Sequence, residues 1–301
     1  MADTSKRIAD LAQRQPAQLR ALEHRHAAAA ARPLARALAD AEADAQQRWM
    51  MATTPHQAIP STANLQSLIE HVRKSLEAAF YGQGAYATAE AQRAAYAAAA
   101  LGIQNASRIT GLLRGVAPPV NIPVSTGPVS DRAAGAIQAG VQEEHSHALA
   151  LLTAAGLTAF GLAGLKSVFT RARRAVSRIT AGIATAITSA AANAALLVAR
   201  HLGPGVRLLW VAEPGACPAC AAYAGRSIPL GGHFPGGLSL DPRRTVFLTS
   251  IPGPPRHPHC RCVVVPWHPR WTTSGTPLPT LLQRLARAGT RRPTVPAQRT
   301  A

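Results

Sequence analysis

The chain is predicted to be α+β, mainly α-helical up to about residue 202 and then a small β-rich unit. Three observations predict this. Alanine is abundant while aromatic residues make up only 4% of the 301 residues, so the core must be built from small side chains on closely packed helices. Apolar residues recur at helical spacing through most of the first 200 positions. After His201 the texture changes to short apolar runs punctuated by Gly and Pro, and all four cysteines fall in that region.

Residues 1–114 read as a helical N-terminal region. "RIADLAQRQ" and "RPLARALADAEADAQQRWM" carry Leu, Ile and Ala on one face, and "ATTPHQAIPSTA" (52–63) interrupts with two prolines. A second helical stretch runs from about Asn64 to Leu113, broken near Gly82–Gly84. "GVAPPVNIPVSTGPVSD" (115–131) has four prolines and almost no charge, and reads as a linker. Residues 132–202 form an Ala-rich helical segment. Within it "ALALLTAAGLTAFGLAGL" (148–165) is uncharged and just long enough to span a bilayer. Its Ala, Gly and Thr content makes insertion weak, so a buried bundle helix is expected and a membrane partner is not.

Residues 203–268 are the β-rich unit, with strand candidates in "GVRLLWVAEPG", "RSIPL", "RTVFLTS" and "CRCVVVPW". A unit of about sixty residues needs a staple to hold itself together. Residues 269–301 read as a flexible basic tail with one amphipathic piece, "LLQRLARAG" (281–289).

The net charge of +18 is unevenly placed. Up to Glu144 there are fourteen Lys and Arg against twelve acids; beyond it, eighteen against Glu213 and Asp241 alone. Arginine in place of lysine follows from a GC-rich genome, but the loss of acids from one half does not. Such a one-sided field suits a polyanion, whether DNA, RNA or an acidic protein surface, and double-stranded DNA is a candidate partner of the C-terminal half. The opening "MADTSKRIADLAQRQ" is polar, without the apolar core of a signal peptide, so a reducing cytoplasm is expected. There, clustered cysteines favour metal over disulfides.

The cysteines occur as "CPAC" (217–220) and within "HPHCRC" (257–262). The first spacing lets Cys217 and Cys220 reach one ion from a tight turn. If 260–266 is a strand, Cys260 and Cys262 share a face, and His257 sits on the turn leading into it. Thiolates with one imidazole suit a tetrahedral structural Zn²⁺, with either four Cys or three Cys and His as ligands. The unit is then zinc-knuckle-like, a clamp joining the end of the first strand to the start of the last. Disulfides or free thiols remain the alternative.

No catalytic residues are expected. A zinc deaminase needs H-x-E beside P-C-x-x-C, and a metalloprotease needs H-E-x-x-H; neither string occurs. A G-x-S-x-G elbow and a phosphate-binding G-x-x-x-x-G-K are also missing. "EEHSH" (143–147) and "EHRH" (23–26) look like ligand clusters but read as solvated helix faces, because residues two apart diverge on a helix.

A helix leading to a strand ending in Trp, then C-x-x-C, a Gly-rich segment and H-P-x-C-R-C resembles the minor head proteins of tailed phages, the Mu F-like (SPP1 gp7-like) head morphogenesis family. The residues carrying the resemblance are Trp210, Cys217, Cys220, Gly225, His257, Pro258, Cys260, Arg261 and Cys262, within roughly 170–267. The chain departs from that pattern at Glu213 and Ala216, where the family commonly has Asp and Thr, and at His259, where it commonly has Asn. The resemblance implies a virion component made in the host bacterial cytoplasm. Its partners would be the portal and other capsid proteins, and its role assembly of the head. A zinc-stabilised nucleic-acid-binding module is the second reading, and a metal-dependent nuclease or toxin the third.

Overall fold

The computed structural model describes residues 3–53, 59–115, 121–241, 243 and 246–290. The fold is mainly helical with one small antiparallel sheet, as the sequence predicts. Its elements in order are α1 (Thr4–Ala52), α2 (Thr62–Phe80), α3 (Gln83–Arg114), α4 (Pro128–Leu151), α5 (Ala154–Ala172), α6 (Arg174–His201), β1 (Arg207–Val211), α7 (Pro218–Ala221), β2 (Ser227–Pro229), β3 (Val263–Trp267) and α8 (Leu278–Thr290). The chain divides into two compact units. One comprises Met1–Leu22, Ala95–Ser130 and Ile187–Ala301, the other Glu23–Ala94 and Asp131–Ala186.

Local chemistry explains several helix starts. Ser61 caps α2 by accepting from the Asn64 N–H, and Thr153 caps α5 by accepting from the Gly156 N–H. α4 starts at Pro128, inside the stretch expected as linker. Proline lacks only an N–H that the first turn leaves unbonded anyway. The linker's other described residues, 115 and 121–127, have no regular structure, while 116–120 lie outside the described residues, as do 54–58 of the first break. α5 is kinked at Gly161, whose φ of 56° and ψ of −140° no helix accommodates. The helical stretch Ala154–His201 is long and apolar enough to cross a membrane, and 61% of its most apolar window is buried within the protein.

In the Glu23–Ala94 and Asp131–Ala186 unit, Leu34, Leu38, Val72, Leu76, Ile179 and Ile183 are buried. Where the sequence suggests solvated faces, the structure buries acids. Glu144 of "EEHSH" is 2% exposed and pairs with Arg171 at 2.9 Å and Arg178 at 3.1 Å. Glu23 of "EHRH" is buried, and His26 bonds Glu90 across 2.6 Å. His145 stacks on Phe80 with ring centroids 4.6 Å apart. Burial holds its pKa below the ordinary value of 6.5, against the opposing pull of Glu77.

A histidine stabilised in its neutral form contributes stability above its unfolded pKa and loses it as pH falls through the folded value. The expected result is therefore a falling unfolding midpoint for this unit as pH is lowered below 6.5. His145→Phe should flatten that limb in thermal melts recorded by circular dichroism, and an unchanged acid slope would refute the assignment.

In the other unit, β1 is central in the sheet order β2-β1-β3, all antiparallel. Leu208 and Trp210 point to a core that also takes in Tyr223, Phe234, Cys220 and Val264. Ala106 of α3 and Ala195, Val198 and Ala199 of α6 complete it. Trp210 is fully buried, edge-on to Phe234 at 5.0 Å and tilted against Tyr223 at 5.1 Å.

Two sequence expectations fail here. The described part of "RTVFLTS", residues 246–250, is not a strand; the pairing nearby is a single bridge between Phe234 and Ile251. Residues 269–290, expected within a flexible tail, carry α8, whose Leu278 and Leu282 are buried and which packs against α7. The segment before α8 is tied to the start of α1, with Thr4 N–H donating to Ser274 Oγ at 3.0 Å. Residues 291–301 lie outside the described residues.

Candidate metal centre

Cys217 and Cys220 belong to the turn that follows β1. Cys217 is the N-cap of α7, with Pro218 in the first turn, and its Sγ accepts the Cys220 N–H at 3.5 Å. The C-x-x-C spacing thus becomes one helical turn that puts both sulfurs on one side. Gly225 closes the following turn with φ of 71°, its N–H donating to Trp210 O at 2.9 Å. A Cβ there would meet Pro279 O at 2.2 Å, so the close approach of α8 requires glycine.

His257, Cys260 and Cys262 lie on the loop entering β3. The strand begins at Val263, so the two cysteines are not on a strand as the spacing suggests. What aims both thiols inward is a bend at His259, whose φ is 60°. Thr188 of α6 anchors this bend by donating its hydroxyl to Cys260 O at 2.9 Å.

All five candidate residues meet. Cys217, Cys220 and His257 bring their donor atoms within 4.8 Å of one another, and so do Cys220, Cys260 and Cys262, with Cys220 common to both groups. His257 Nε2 lies 3.4 Å from Cys217 Sγ and 3.3 Å from Cys220 Sγ; Cys220 and Cys260 sulfurs are 3.7 Å apart. That separation is far from the roughly 2.05 Å of a disulfide, and all four cysteines are free. The cluster can hold a metal ion.

The surroundings favour charged sulfur at Cys217 and Cys260. Cys217 is brought down to about 4, chiefly by the hydrogen bond from Cys220, against the effect of burial and with help from His257. Cys260 is held well below the usual thiol value by hydrogen bonds from Cys220 and Cys262. The backbone N–H groups of Arg256 and Cys262 also point at it. For Cys262, the hydrogen bond from Cys220 acts downward, but the neighbouring Cys260 and complete burial push the thiol up. Cys220 is likewise pushed up, by the Cys217, Cys260 and Cys262 sulfurs and by burial. His257 is raised to about 9, first by Cys217. Crowded thiols sharing protons in a buried pocket are what a cation would displace.

The outer contacts orient the ligands. His257 Nδ1 lies 2.7 Å from Pro258 O, so an Nδ1–H donates there and leaves the Nε2 lone pair facing the two sulfurs. Phe247 stacks on the His257 ring at 5.5 Å. Glu213, a departure from the resembled pattern, accepts the Arg261 N–H at 3.3 Å and pairs with Arg20 at 3.1 Å. It braces the cysteine loop. Burial raises its pKa against those bonds.

Neither Phe247 nor Glu213 stands out in the sequence as part of a site, because their contacts come from separated segments. Position 259, where the resembled family has Asn, is left-handed here, a region Asn enters more readily than most residues. His enters that region more readily than most residues too, so His259→Asn should shift the stability of this unit by no more than about 0.5 kcal/mol, read as a urea midpoint close to wild type at unchanged metal content.

Comparison with protein-family models, with curated proteins and with solved structures found no match to the chain.

Proposed function

We propose that the chain is a minor head protein of a tailed phage, built into the virion during head assembly near the portal, with a structural Zn²⁺ site stapling its sheet-containing end. The observation that carries this reading is the convergence of the C-x-x-C and H-P-x-C-R-C segments on one buried donor cluster. Tetrahedral zinc with bonds of about 2.3 Å to sulfur and 2.0–2.1 Å to nitrogen separates two sulfurs by roughly 3.8 Å, and sulfur from nitrogen by roughly 3.5 Å. The cluster's 3.7, 3.4 and 3.3 Å edges fit those values. With five donors for four positions, protein atoms fill the coordination sphere. That suits a scaffold rather than a hydrolytic centre.

The charge distribution favours contact with packaged or incoming DNA through the same half of the chain. Eighteen Lys and Arg face only two acids there. That charge also supports the second reading, a zinc-stabilised nucleic-acid-binding module outside any particle.

Two measurements test the proposal in turn. Elemental analysis of purified protein should find about one zinc per chain, with thiols becoming titratable on chelation. Antibody against the chain should then detect it in purified tailed particles released by the source cells. A metal-loaded chain that is absent from particles and stays in the soluble cell fraction would leave the nucleic-acid module as the better reading.

A further inference from the structure

Beside the cysteine cluster lies a cation that the ligand set does not account for. Arg256 is 8% exposed. Among the described residues only its Nη2 has a hydrogen-bond partner, the Phe247 carbonyl; Nε and Nη1 are buried without one there. The guanidinium lies over two rings, Tyr223 at 5.6 Å and Phe247 at 5.5 Å, and no carboxylate pairs with it among the described residues.

A buried charge that lacks a counter-charge and leaves two donors unused is costly, and ring faces recover only part of that. An arginine cannot escape by giving up its proton. Something nearby has to be negative. The unit that holds Arg256 has four acids, Asp3, Asp10, Glu213 and Asp241; none of them pairs with it, and Glu213 is engaged by Arg20 and Arg261.

The donor cluster is the remaining source. Arg256 directly precedes His257 in the chain, and the Phe247 ring stacks with both the Arg256 guanidinium and the His257 imidazole. Zn²⁺ with two thiolates would be neutral, with three it carries −1, and with four −2. Only the last two match a buried cation.

We propose that Arg256 is the counter-charge of an anionic metal centre, one holding at least three thiolates. This deepens the metal-site reading and rests on it. Arg256 is a positioning residue and not a ligand. Its charge steadies the sulfurs as thiolates, while its Nη2 and its stack on Phe247 hold the ring that backs His257.

The test uses the full chain loaded with Zn²⁺ or with Co²⁺ and compares wild type, Arg256→Met and Arg256→Lys. Two quantities are measured: zinc affinity by competition with a chromophoric chelator, and the pH at which half of the cobalt–thiolate charge-transfer absorbance is lost. Arg256→Met should bind zinc about 10- to 100-fold more weakly, and should lose cobalt at a higher pH because protons compete better for the sulfurs. Arg256→Lys, which keeps the charge but not the planar fork, should recover most of both.

If Arg256→Lys fails as badly as Arg256→Met, the residue acts through shape and not charge, and the proposal is overturned. So is it if Arg256→Met binds and releases both metals like wild type. A cobalt spectrum whose intensity corresponds to two thiolates would also overturn it while leaving the metal site standing. A wild-type chain that takes up neither metal removes the metal reading itself.

Discussion

Replacing Cys220 by serine should abolish metal binding and unfold the sheet and its surrounding loops. Cys220 is the donor shared by both groups, so without it neither group keeps three donors near one another. Structural zinc contributes about 10–16 kcal/mol of apparent binding free energy, as large as the whole net stability of about 5–15 kcal/mol of a typical domain. The local core cannot make up the difference. Its sheet has three strands of five, three and five residues, and three of the buried side chains around Trp210 are themselves the cysteines Cys220, Cys260 and Cys262.

Cys217→Ser and Cys260→Ser should act in the same direction. The readouts are loss of zinc, loss of the near-ultraviolet signal of buried Trp210 and Tyr223, and protease cleavage within 203–268. Because Ala106, Ala195, Val198 and Ala199 share that core, the adjoining ends of α3 and α6 should loosen as well. The Glu23–Ala94 and Asp131–Ala186 unit has its own buried leucines and isoleucines, so most far-ultraviolet helical signal should remain. A Cys220→Ser protein with wild-type near-ultraviolet signal and protease resistance would show that the cysteines are not a staple.

The second large effect is expected at Glu144. Its carboxylate is buried on α4 between Arg171 and Arg178, whose side chains are 23% and 54% exposed. The asymmetry decides which substitution is costly. Removing the acid leaves two arginines that can turn toward water, so Glu144→Gln should cost only about 1–2 kcal/mol. Removing both arginines strands a buried carboxylate. The double variant Arg171→Met, Arg178→Met should lose about 3–5 kcal/mol, seen as a lower urea midpoint for the unit that holds all three residues. A double variant no less stable than Glu144→Gln would mean that water already reaches the carboxylate.

How much of this was legible in the sequence differs from element to element. The helices from α1 to α6 follow from periodic alanine and leucine, and α2 ends in the region where glycine interrupts the pattern. β1, β2 and β3 follow from apolar runs between glycines and prolines, because a short run so bounded has few other options. The run at 246–250 obeys the same local rule and is still not a strand. The Phe247 carbonyl there is taken by the Gly237 N–H and the Arg256 guanidinium, and no sequence window contains both partners. Solvated faces were expected at 23–26 and 143–147 for a similar reason. Helical spacing says which residues diverge, but Glu144 is buried because Arg171 and Arg178 lie opposite it, 27 and 34 positions on.

The sequence by itself determined the chemistry of the site: four thiols and a histidine in two short strings, in a half-chain almost without acids. Ligand type and close spacing are local properties, and local properties can be read off directly. Only the tertiary structure decided that the two strings meet, since Cys220 and Cys260 are forty residues apart and come together through β1, β3 and Thr188 of α6. It also decided that Arg256 would be buried beside them with two donors unused. An arginine beside a proline reads as a surface residue, because nothing in its neighbours reports which rings will close over it.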